Sequence, residues 1–217
     1  MAAEEAQTEK LIKKTAKTLF FQNGFLKATT QEIADAAGVN RALIHYYFRS
    51  REQMLEILLD ETLREKKDRV RNILSSDLPF REKIAKYIDA VVDHGLKYPF
   101  LDNFIVSEMA RRPERVKIFC AKDPLRSSDL IRSQLEQEIK KGKLAAISAE
   151  QFMVNLISLC NYPLLAKSVI QTVHGLSDSA YRRFLVERKK IIYQTIFNEE
   201  MPELLTSNDN TKKSSLT

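Results

Sequence analysis

Residues 30–48 of the chain read TQEIADAAGVNRALIHYYF. Apolar residues recur at helical spacing on both sides of a single glycine in this window. Thr30 can cap a short helix, Gly38 tolerates the positive φ of a tight turn, and Asn40 can cap a following helix over 41–48. The window therefore predicts two short helices joined by a tight turn.

A helix-turn-helix needs a small residue where its two helices cross, and Ala34 suits that position. Apolar side chains must also hold the pair on a preceding helix, and the window supplies Ile33, Ala37, Val39, Ile44 and Phe48. The remaining face of the helix over 41–48 would be free to enter the major groove of DNA. That face carries Arg41, Ala42, Leu43, His45 and Tyr46. On spacing alone, a plain helical hairpin within a bundle is an alternative.

The sequence on either side of this window predicts further helices. Residues 1–7 are expected to form a loose arm, and Thr8 can cap a helix that runs to about Gln22, where Asn23-Gly24 is a stop signal. Ser50 can cap a long, charged helix that reaches about Leu74.

The rest of the chain also has helical periodicity, so we expect an all-α protein of about nine helices. Few glycines and prolines interrupt it, five and six in total. Further helices are predicted at 80–97, 101–111, 124–141, 149–173 and 178–198. We expect a unit with the helix-turn-helix at 1–50, a helical unit at 51–200 and a disordered tail at 201–217.

Charge and composition narrow the class of protein. The formal net charge is +6, which fits either a polyanionic partner or ordinary solubility. Cys120 and Cys160 make no disulfide framework, and no apolar run approaches the roughly 18–20 residues of a membrane span. The N-terminus does not resemble a signal peptide. These features predict a cytoplasmic protein that does not associate with membranes.

Nothing in the sequence favours an enzyme. There is no glycine-rich phosphate loop, no G-x-S-x-G and no H-E-x-x-H motif. The histidines, His45, His94 and His174, are far apart, and no Cys/His cluster has metal-ligand spacing. We therefore expect no catalytic residues, no metal site and no cofactor.

The region from Thr8 to about Leu59 resembles the DNA-binding domain of the TetR/AcrR family of transcription regulators. Several spaced motifs carry this resemblance in order: Leu11-Ile12, Ala16, Leu19-Phe20, Gly24-Phe25, Thr29-Thr30, Ile33-Ala34, Ala37-Gly38-Val39, Ile44-His45-Tyr46-Tyr47-Phe48, Ser50-Arg51 and Leu55. The resemblance implies a three-helix helix-turn-helix domain followed by a helical effector domain. It favours a DNA-binding regulator over a helical hairpin.

The resemblance also implies roles for individual residues at the DNA. Thr30 and Tyr47 would each hold a phosphate, and Arg51 would add another backbone contact. Asn40 would cap the recognition helix and could also contact the DNA backbone. Arg41 would read a guanine through its O6 and N7 atoms.

Three positions depart from the pattern of the family, in which 42 is often Gly, 43 often Thr and 45 usually Tyr. Here they are Ala42, Leu43 and His45, so the reading surface is more apolar, and Ala42 and Leu43 could contact thymine methyl groups. His45 can donate to a phosphate or remain a neutral surface imidazole. Tyr46 can reach a base or sugar, or face solvent.

Members of this family dimerise and bind a small effector through the C-terminal domain. The resemblance therefore implies a helix-turn-helix DNA-binding domain at 1–50 and a ligand-binding and dimerisation domain at 51–200. The last two long helices have apolar faces that could form a four-helix dimer interface or, alternatively, the core of one subunit. Those faces carry Phe152, Leu156, Leu159, Pro163 and Ala166 on one helix and Tyr181, Leu185, Ile192 and Ile196 on the other. A two-fold dimer would read pseudo-palindromic operator DNA.

An effector pocket should combine aromatic and polar side chains on apolar helices. The candidates are Tyr87, Val91, His94, Phe104, Ser107, Asn155, Ser158 and Tyr162, with Phe100, Met109 and Asn161 considered beside them, although aromatics at this spacing can equally be core. The family default is a repressor released from DNA by an apolar or amphipathic effector. A ligand-independent DNA-binding protein, either a constitutive repressor or a chromosome-organising factor, is the alternative.

Overall fold

The computed structural model of the chain describes residues 2–111, 114 and 126–202. Within these ranges all regular structure is helical and there is no strand, which confirms the all-α fold class. The helices are α1 (Ala2–Lys17, continued by a π-helical turn, Thr18–Gln22), α2 (Thr30–Ala37), α3 (Arg41–Phe48), α4 (Arg51–Leu74), α5 (Phe80–Lys97), α6 (Leu101–Arg111), α7 (Ser127–Lys140), α8 (Ala149–Leu165), α9 (Lys167–His174) and α10 (Asp178–Phe197). Cys120, the predicted start of a helix at 124 and residues 203–217 of the predicted tail lie outside the described ranges.

The first helix begins earlier than the sequence predicts. It starts at Ala2, so the prediction of a loose arm ending at a Thr8 cap is wrong. The hydroxyl of Thr8 instead donates to the carbonyl of Glu4 at 2.9 Å, a bond between successive turns. Glu4 and Glu5 stand in the first turn, where the positive end of the helix dipole stabilises acidic side chains.

The helix predicted over 149–173 is broken in two. α8 and α9 meet at Ala166 and are bent by 70°. In an uninterrupted helix the carbonyl of Pro163 would accept the N–H of Lys167; here the hydroxyl of Tyr181 on α10 donates to that carbonyl. The ring of Pro163 also removes one N–H from the helix. A contact distant in sequence therefore helps to end α8.

Two hydrophobic cores organise the helices. The N-terminal core joins α1, α2 and α3 with the first half of α4, and it also receives Tyr98 and Leu101 from the α5–α6 corner. The C-terminal core joins the end of α4 with α5, α7, α8 and α10. The apolar faces considered for a dimer interface, with Phe152, Leu156, Tyr181 and Leu185, belong to this second core. Within one subunit those faces are therefore interior.

No single helix in the described ranges is long and apolar enough to cross a membrane. The bent pair of α8 and α9 passes a test of length and composition when the two helices are taken together. Phe152, Met153, Leu156, Cys160 and Leu164 of α8 are buried in the C-terminal core, as expected for a core helix.

His94 is buried on α5, where α5 lies beside α4 and α6. Neither of its ring nitrogens has a hydrogen-bond partner among the described residues. Burial and the cations of Lys66, Lys97 and Arg69 lower its pKa to about 4, against an opposing effect of Asp102. His94 is therefore a neutral imidazole at physiological pH.

This burial makes folding pH-dependent. The pKa of His94 is about 4 in the folded chain, against a usual value of 6.5, so the unfolded chain takes up a proton first as the pH falls. The contribution of the neutral His94 to the free energy of unfolding is fully present above pH 6.5 and is lost as the pH falls toward 4. The free energy of unfolding, measured with urea, should decrease by about 2 kcal/mol between pH 7.5 and pH 5 through this residue.

His94→Gln is uncharged throughout that range and should give a flatter dependence than the wild type. His174→Gln, at an exposed histidine, is the matched control and should keep the wild-type slope. A wild-type slope in His94→Gln would assign the pH dependence to other groups.

Candidate nucleic-acid interface

α2 begins with a reciprocal cap. The side chain of Thr29 accepts the backbone N–H of Glu32 at 3.2 Å, and the Glu32 carboxylate accepts the backbone N–H of Thr29 at 2.7 Å. That second bond lowers the pKa of Glu32. The prediction of Thr30 as the cap is therefore wrong by one residue. The sequence did carry the signal, because Thr29 and Glu32 have the Thr-x-x-Glu spacing of a capping box.

The turn between α2 and α3 has the predicted form. Gly38 has φ +66°, and the N–H of Val39 returns to the carbonyl of Ala34 at 3.0 Å. Ala34 is fully buried. Asn40 caps α3, since its side-chain oxygen accepts the N–H of Ala42 at 2.8 Å. A tight turn and a short side chain thus fix the direction in which α3 leaves α2.

α3 has one buried and one exposed side. Ile44 and Phe48 are buried in the N-terminal core, at 0% and 2% exposure. Leu43 and Tyr47 are half-buried at the margin. The structure brings the remaining predicted reading residues together on the exposed side: Arg41, Ala42, His45 and Tyr46.

Two of the predicted contact residues are tethered in the free chain. The Nε of Arg41 donates to the hydroxyl of Thr30 at 3.1 Å, across the turn. The hydroxyl of Tyr47 donates to the carbonyl of Glu5 at 3.1 Å, which ties α3 to the first turn of α1. These bonds limit the conformations available to both side chains before DNA binds.

Arg51 stands in a different environment from an exposed phosphate-binding arginine. Its Nε donates to the carbonyl of Ala28 at 2.8 Å, and a second nitrogen donates to the carbonyl of Leu26. The guanidinium also lies over the ring of Phe20. Arg51 thus holds the loop before α2, and the phosphate contact expected of it stays a prediction.

Arg49 is a feature that the sequence reasoning did not single out. Its φ is +61° and its ψ −50°, and the N–H of Ser50 bonds the carbonyl of Phe48 at 2.6 Å across it. This geometry is a γ-turn, which strains any residue with a side chain. The side chain of Arg49 is exposed and follows directly on α3, so it can also face DNA. Arg49 lies in the stretch between positions 41 and 51, which contains no acidic residue. This was the signal that the sequence offered.

The structure does not gather the eight predicted effector contacts into one site. Tyr87 and Val91 are buried in the C-terminal core, and burial raises the pKa of Tyr87. His94 has the separate environment described above, and Phe104 packs beside Phe21 with ring centroids 6.5 Å apart. The other four predicted contacts are exposed: Ser107, Asn155, Ser158 and Tyr162.

A cavity of about 430 Å³ lies elsewhere, and we call it the junction cavity. It is bounded by the end of α1, the α5–α6 corner, the break between α8 and α9, and the start of α10. None of the eight predicted contacts lines it. Its walls are formed by Gln22, Asn23, Phe25, Gly95, Leu96, Pro99, Phe100, Leu164, Lys167, Asp178, Tyr181, Arg182 and Leu185.

Comparison with known proteins agrees with this geometry. Residues 12–58 match a family described as bacterial regulatory proteins, tetR family. The chain is 25% identical over 147 residues to YhgD of Bacillus subtilis (strain 168), an uncharacterized HTH-type transcriptional regulator, and the alignment covers 65% of this chain and 74% of that protein. The family resemblance drawn from the sequence motifs is confirmed.

Solved structures share the fold over most of the chain. The ketosteroid transcriptional regulator KstR2 of Mycobacterium tuberculosis superposes with a TM-score of 0.61 at 17% identity, covering 89% of this chain and 96% of that one. The TetR family transcriptional regulator PfmR of Thermus thermophilus gives 0.55 at 16% identity, covering 84% and 94%. At these identities the likeness is one of fold.

The two adjacent threonines at the start of α2 can be distinguished by mutation. Thr29→Ala removes the cap and should lower the free energy of unfolding in urea by about 1 kcal/mol. Thr29→Ser keeps the hydroxyl and should retain most of the stability. Thr30→Val is the matched comparison: it keeps the shape of the buried side chain and the cap, and it removes only the bond from Arg41. A larger loss in Thr30→Val than in Thr29→Ala would reverse the assignment.

Proposed function

We propose that this chain, a member of the TetR family of transcription regulators by its N-terminal domain, is a repressor that binds a pseudo-palindromic operator as a homodimer. A small apolar or amphipathic effector releases it from DNA. It acts in the cytoplasm, where its DNA target lies. The exposed side of α3 is the observation that carries the proposal.

The exposed side of α3 suits the major groove in both shape and charge. Ala42 is small and allows close approach, while Arg41 offers the donors that pair with guanine O6 and N7. His45 and Tyr46 extend the same side toward sugar, phosphate or base. No acidic residue interrupts this surface between positions 41 and 51. The local charge of this stretch is therefore positive, which favours the approach of a polyanion.

Several groups around α3 would position the chain on the phosphates. Thr30 stands at the first turn of α2, whose N-terminus attracts an anion. Tyr47 would exchange its bond with Glu5 for a phosphate oxygen. Arg49, exposed after α3, adds a cation that is not bound to an acidic side chain of the described residues. Phosphate contacts of this kind fix register and orientation, while base contacts supply the sequence preference.

The outward faces of α8 and α10 are the proposed dimer interface. Their inward faces fill the subunit core, yet large apolar side chains remain exposed on the other side: Val154, Ile157, Tyr162, Val186 and Ile191. Exposed apolar side chains on two neighbouring helices favour an interaction surface. Asn155 and Ser158, first considered for the effector, lie on α8 beside it. Burying this face against its two-fold copy would build a four-helix interface.

The junction cavity favours an effector-controlled repressor over a ligand-independent DNA-binding protein. Its volume of about 430 Å³ falls within the range of about 300–1,000 Å³ usual for small-molecule sites. A protein that only binds DNA has no need of such a space.

Selection from a random duplex pool tests the proposal. The wild-type chain should enrich two inverted half-sites, with centres about one helical turn of DNA apart. Arg41→Ala should weaken operator binding by about 1–3 kcal/mol and relax the preference at one position of each half-site. Arg49→Ala should weaken binding to all sequences alike.

Arg64→Ala is the control for these variants, because Arg64 is an exposed arginine of α4 outside the reading surface. Titrations at low salt, where phosphate contacts are strongest, measure each affinity. An unchanged preference in Arg41→Ala would remove Arg41 as the reading residue. Absence of any enriched sequence at low salt would contradict the proposed function.

The dimer interface has its own test. Val186→Asp places a charge in the proposed contact and should convert the dimer into a monomer in sedimentation velocity, with the helical circular dichroism unchanged. Val106→Asp changes an equally exposed valine on α6 and should leave the dimer intact; both valines are just over half exposed. A dimer that survives Val186→Asp would place the interface elsewhere.

A further inference from the structure

We propose that the junction cavity is the effector site and that its ligand is an amphipathic anion, with a carboxylate or similar group on an apolar body. This inference rests on the proposed function, because it names the site and chemical class of the effector assumed there. It differs from the site predicted from the sequence, since of all the residues considered there only Phe100 lines the cavity.

The interior of the cavity is apolar. Leu164, Leu185 and Tyr181 line it and are buried, and Phe100 and Phe25, which are exposed, line it as well. Apolar surface of this kind binds a hydrocarbon or aromatic body by removing it from water. The hydroxyl of Tyr181 is already bonded to a backbone carbonyl, so it adds little polarity.

The rim of the cavity carries two cations and one acid. The ammonium of Lys167 lies 2.9 Å from a carboxylate oxygen of Asp178, and Gln171 donates to the same oxygen at 3.0 Å. Arg182 lies one turn further along α10, is exposed, and makes no hydrogen bond or ion pair with a described residue. The rim therefore has an excess of one positive charge and favours an anionic head group.

The polar group of the ligand would compete with Asp178 for Lys167. Lys167 lies over the rings of Phe100 and Tyr181, 5.6 and 5.9 Å from their centroids. Its ammonium is thus held at the entrance to the apolar interior, where it can bind a carboxylate whose hydrocarbon portion lies inside. A neutral alcohol of the same length would gain the apolar contacts without this charge interaction.

The two domains share the walls of the cavity, which connects the ligand to DNA binding. The N–H of Phe100 donates to the carbonyl of Phe21 at 3.2 Å. A Cβ added to Gly24 would lie 2.9 Å from the Phe100 ring, so the ring packs directly on the backbone after α1. A ligand wedged between Phe25 and α10 would change the separation of these elements. It would thereby move the domain that carries α3.

The other candidate region is closed. The ring nitrogens of His94 and one carboxylate oxygen of Asp102 are buried without hydrogen-bond partners. Because those atoms have essentially no accessible surface, a ligand could reach them only after the helices separated. The junction cavity needs no such rearrangement.

Calorimetric titration of the full chain with decanoate, 1-decanol and decyltrimethylammonium tests the proposal. Decanoate should bind once per chain and at least about ten-fold more tightly than decanol, a difference that one charge contact can supply; the cation should bind weakest. Arg182→Gln and Lys167→Gln should each weaken decanoate several-fold and leave decanol unchanged. Asp178→Asn removes the competing carboxylate and should strengthen decanoate binding.

Lys140→Gln, at an exposed lysine of α7, is the control and should match the wild type. The proposal is wrong if decanoate and decanol bind equally or if neither binds. It is also wrong if the double variant Lys167→Gln/Arg182→Gln keeps the full affinity for decanoate. Adding decanoate to the selected operator complex should release the DNA; a complex that persists at saturating decanoate would overturn the assignment of the cavity as the effector site. If no operator can be selected, the proposed function is wrong. The calorimetry tests the ligand independently of that result.

Discussion

The long helix α4 contributes to both hydrophobic cores, and the arrangement of the chain depends on this constraint. Met54 and Leu58 are fully buried against the helix-turn-helix, and Leu74 is fully buried among the C-terminal helices. A helix of 24 residues spans about 36 Å and transmits any rotation of one core to the other. The position of α3 is therefore linked to the packing of the C-terminal domain.

A second connection restricts how α4 can move. The α5–α6 corner inserts Tyr98 and Leu101 into the N-terminal core, and the ion pair of Lys66 and Asp102, at 2.6 Å, joins α4 to α6. With two connections, the domains cannot swing freely about one hinge. A change in the position of α3 requires the corner and α4 to shift together. The junction cavity lies against this corner, through Pro99 and Phe100.

Local signals in the sequence predicted the parts of the fold that depend on near neighbours. Asn40 and Ser50 cap helices as expected, because each side chain bonds a backbone N–H within three residues. The break at Ala166 was missed although Pro163 was a local signal, because the bond from Tyr181 that helps to end α8 is distant in sequence. The effector candidates do not lie together in one site for a related reason. The spacing of aromatic residues identifies the apolar face of a helix but not the element that packs against it. Tyr87 and Val91 pack into the C-terminal core.

The junction cavity lies beside close contacts to the backbone of glycine residues, which the spacing of apolar residues does not predict. At Gly95 an added Cβ would lie 2.3 Å from the side chain of Leu164, so α5 and α8 approach as closely as a glycine permits. A ligand shifts an equilibrium only by its difference in affinity for the two states. Near the cavity, the ring of Phe100 also packs on a glycine, Gly24, where an added Cβ would lie 2.9 Å from the ring. A ligand that expands the cavity must therefore loosen this contact, and the state with separated domains is the one that it stabilises.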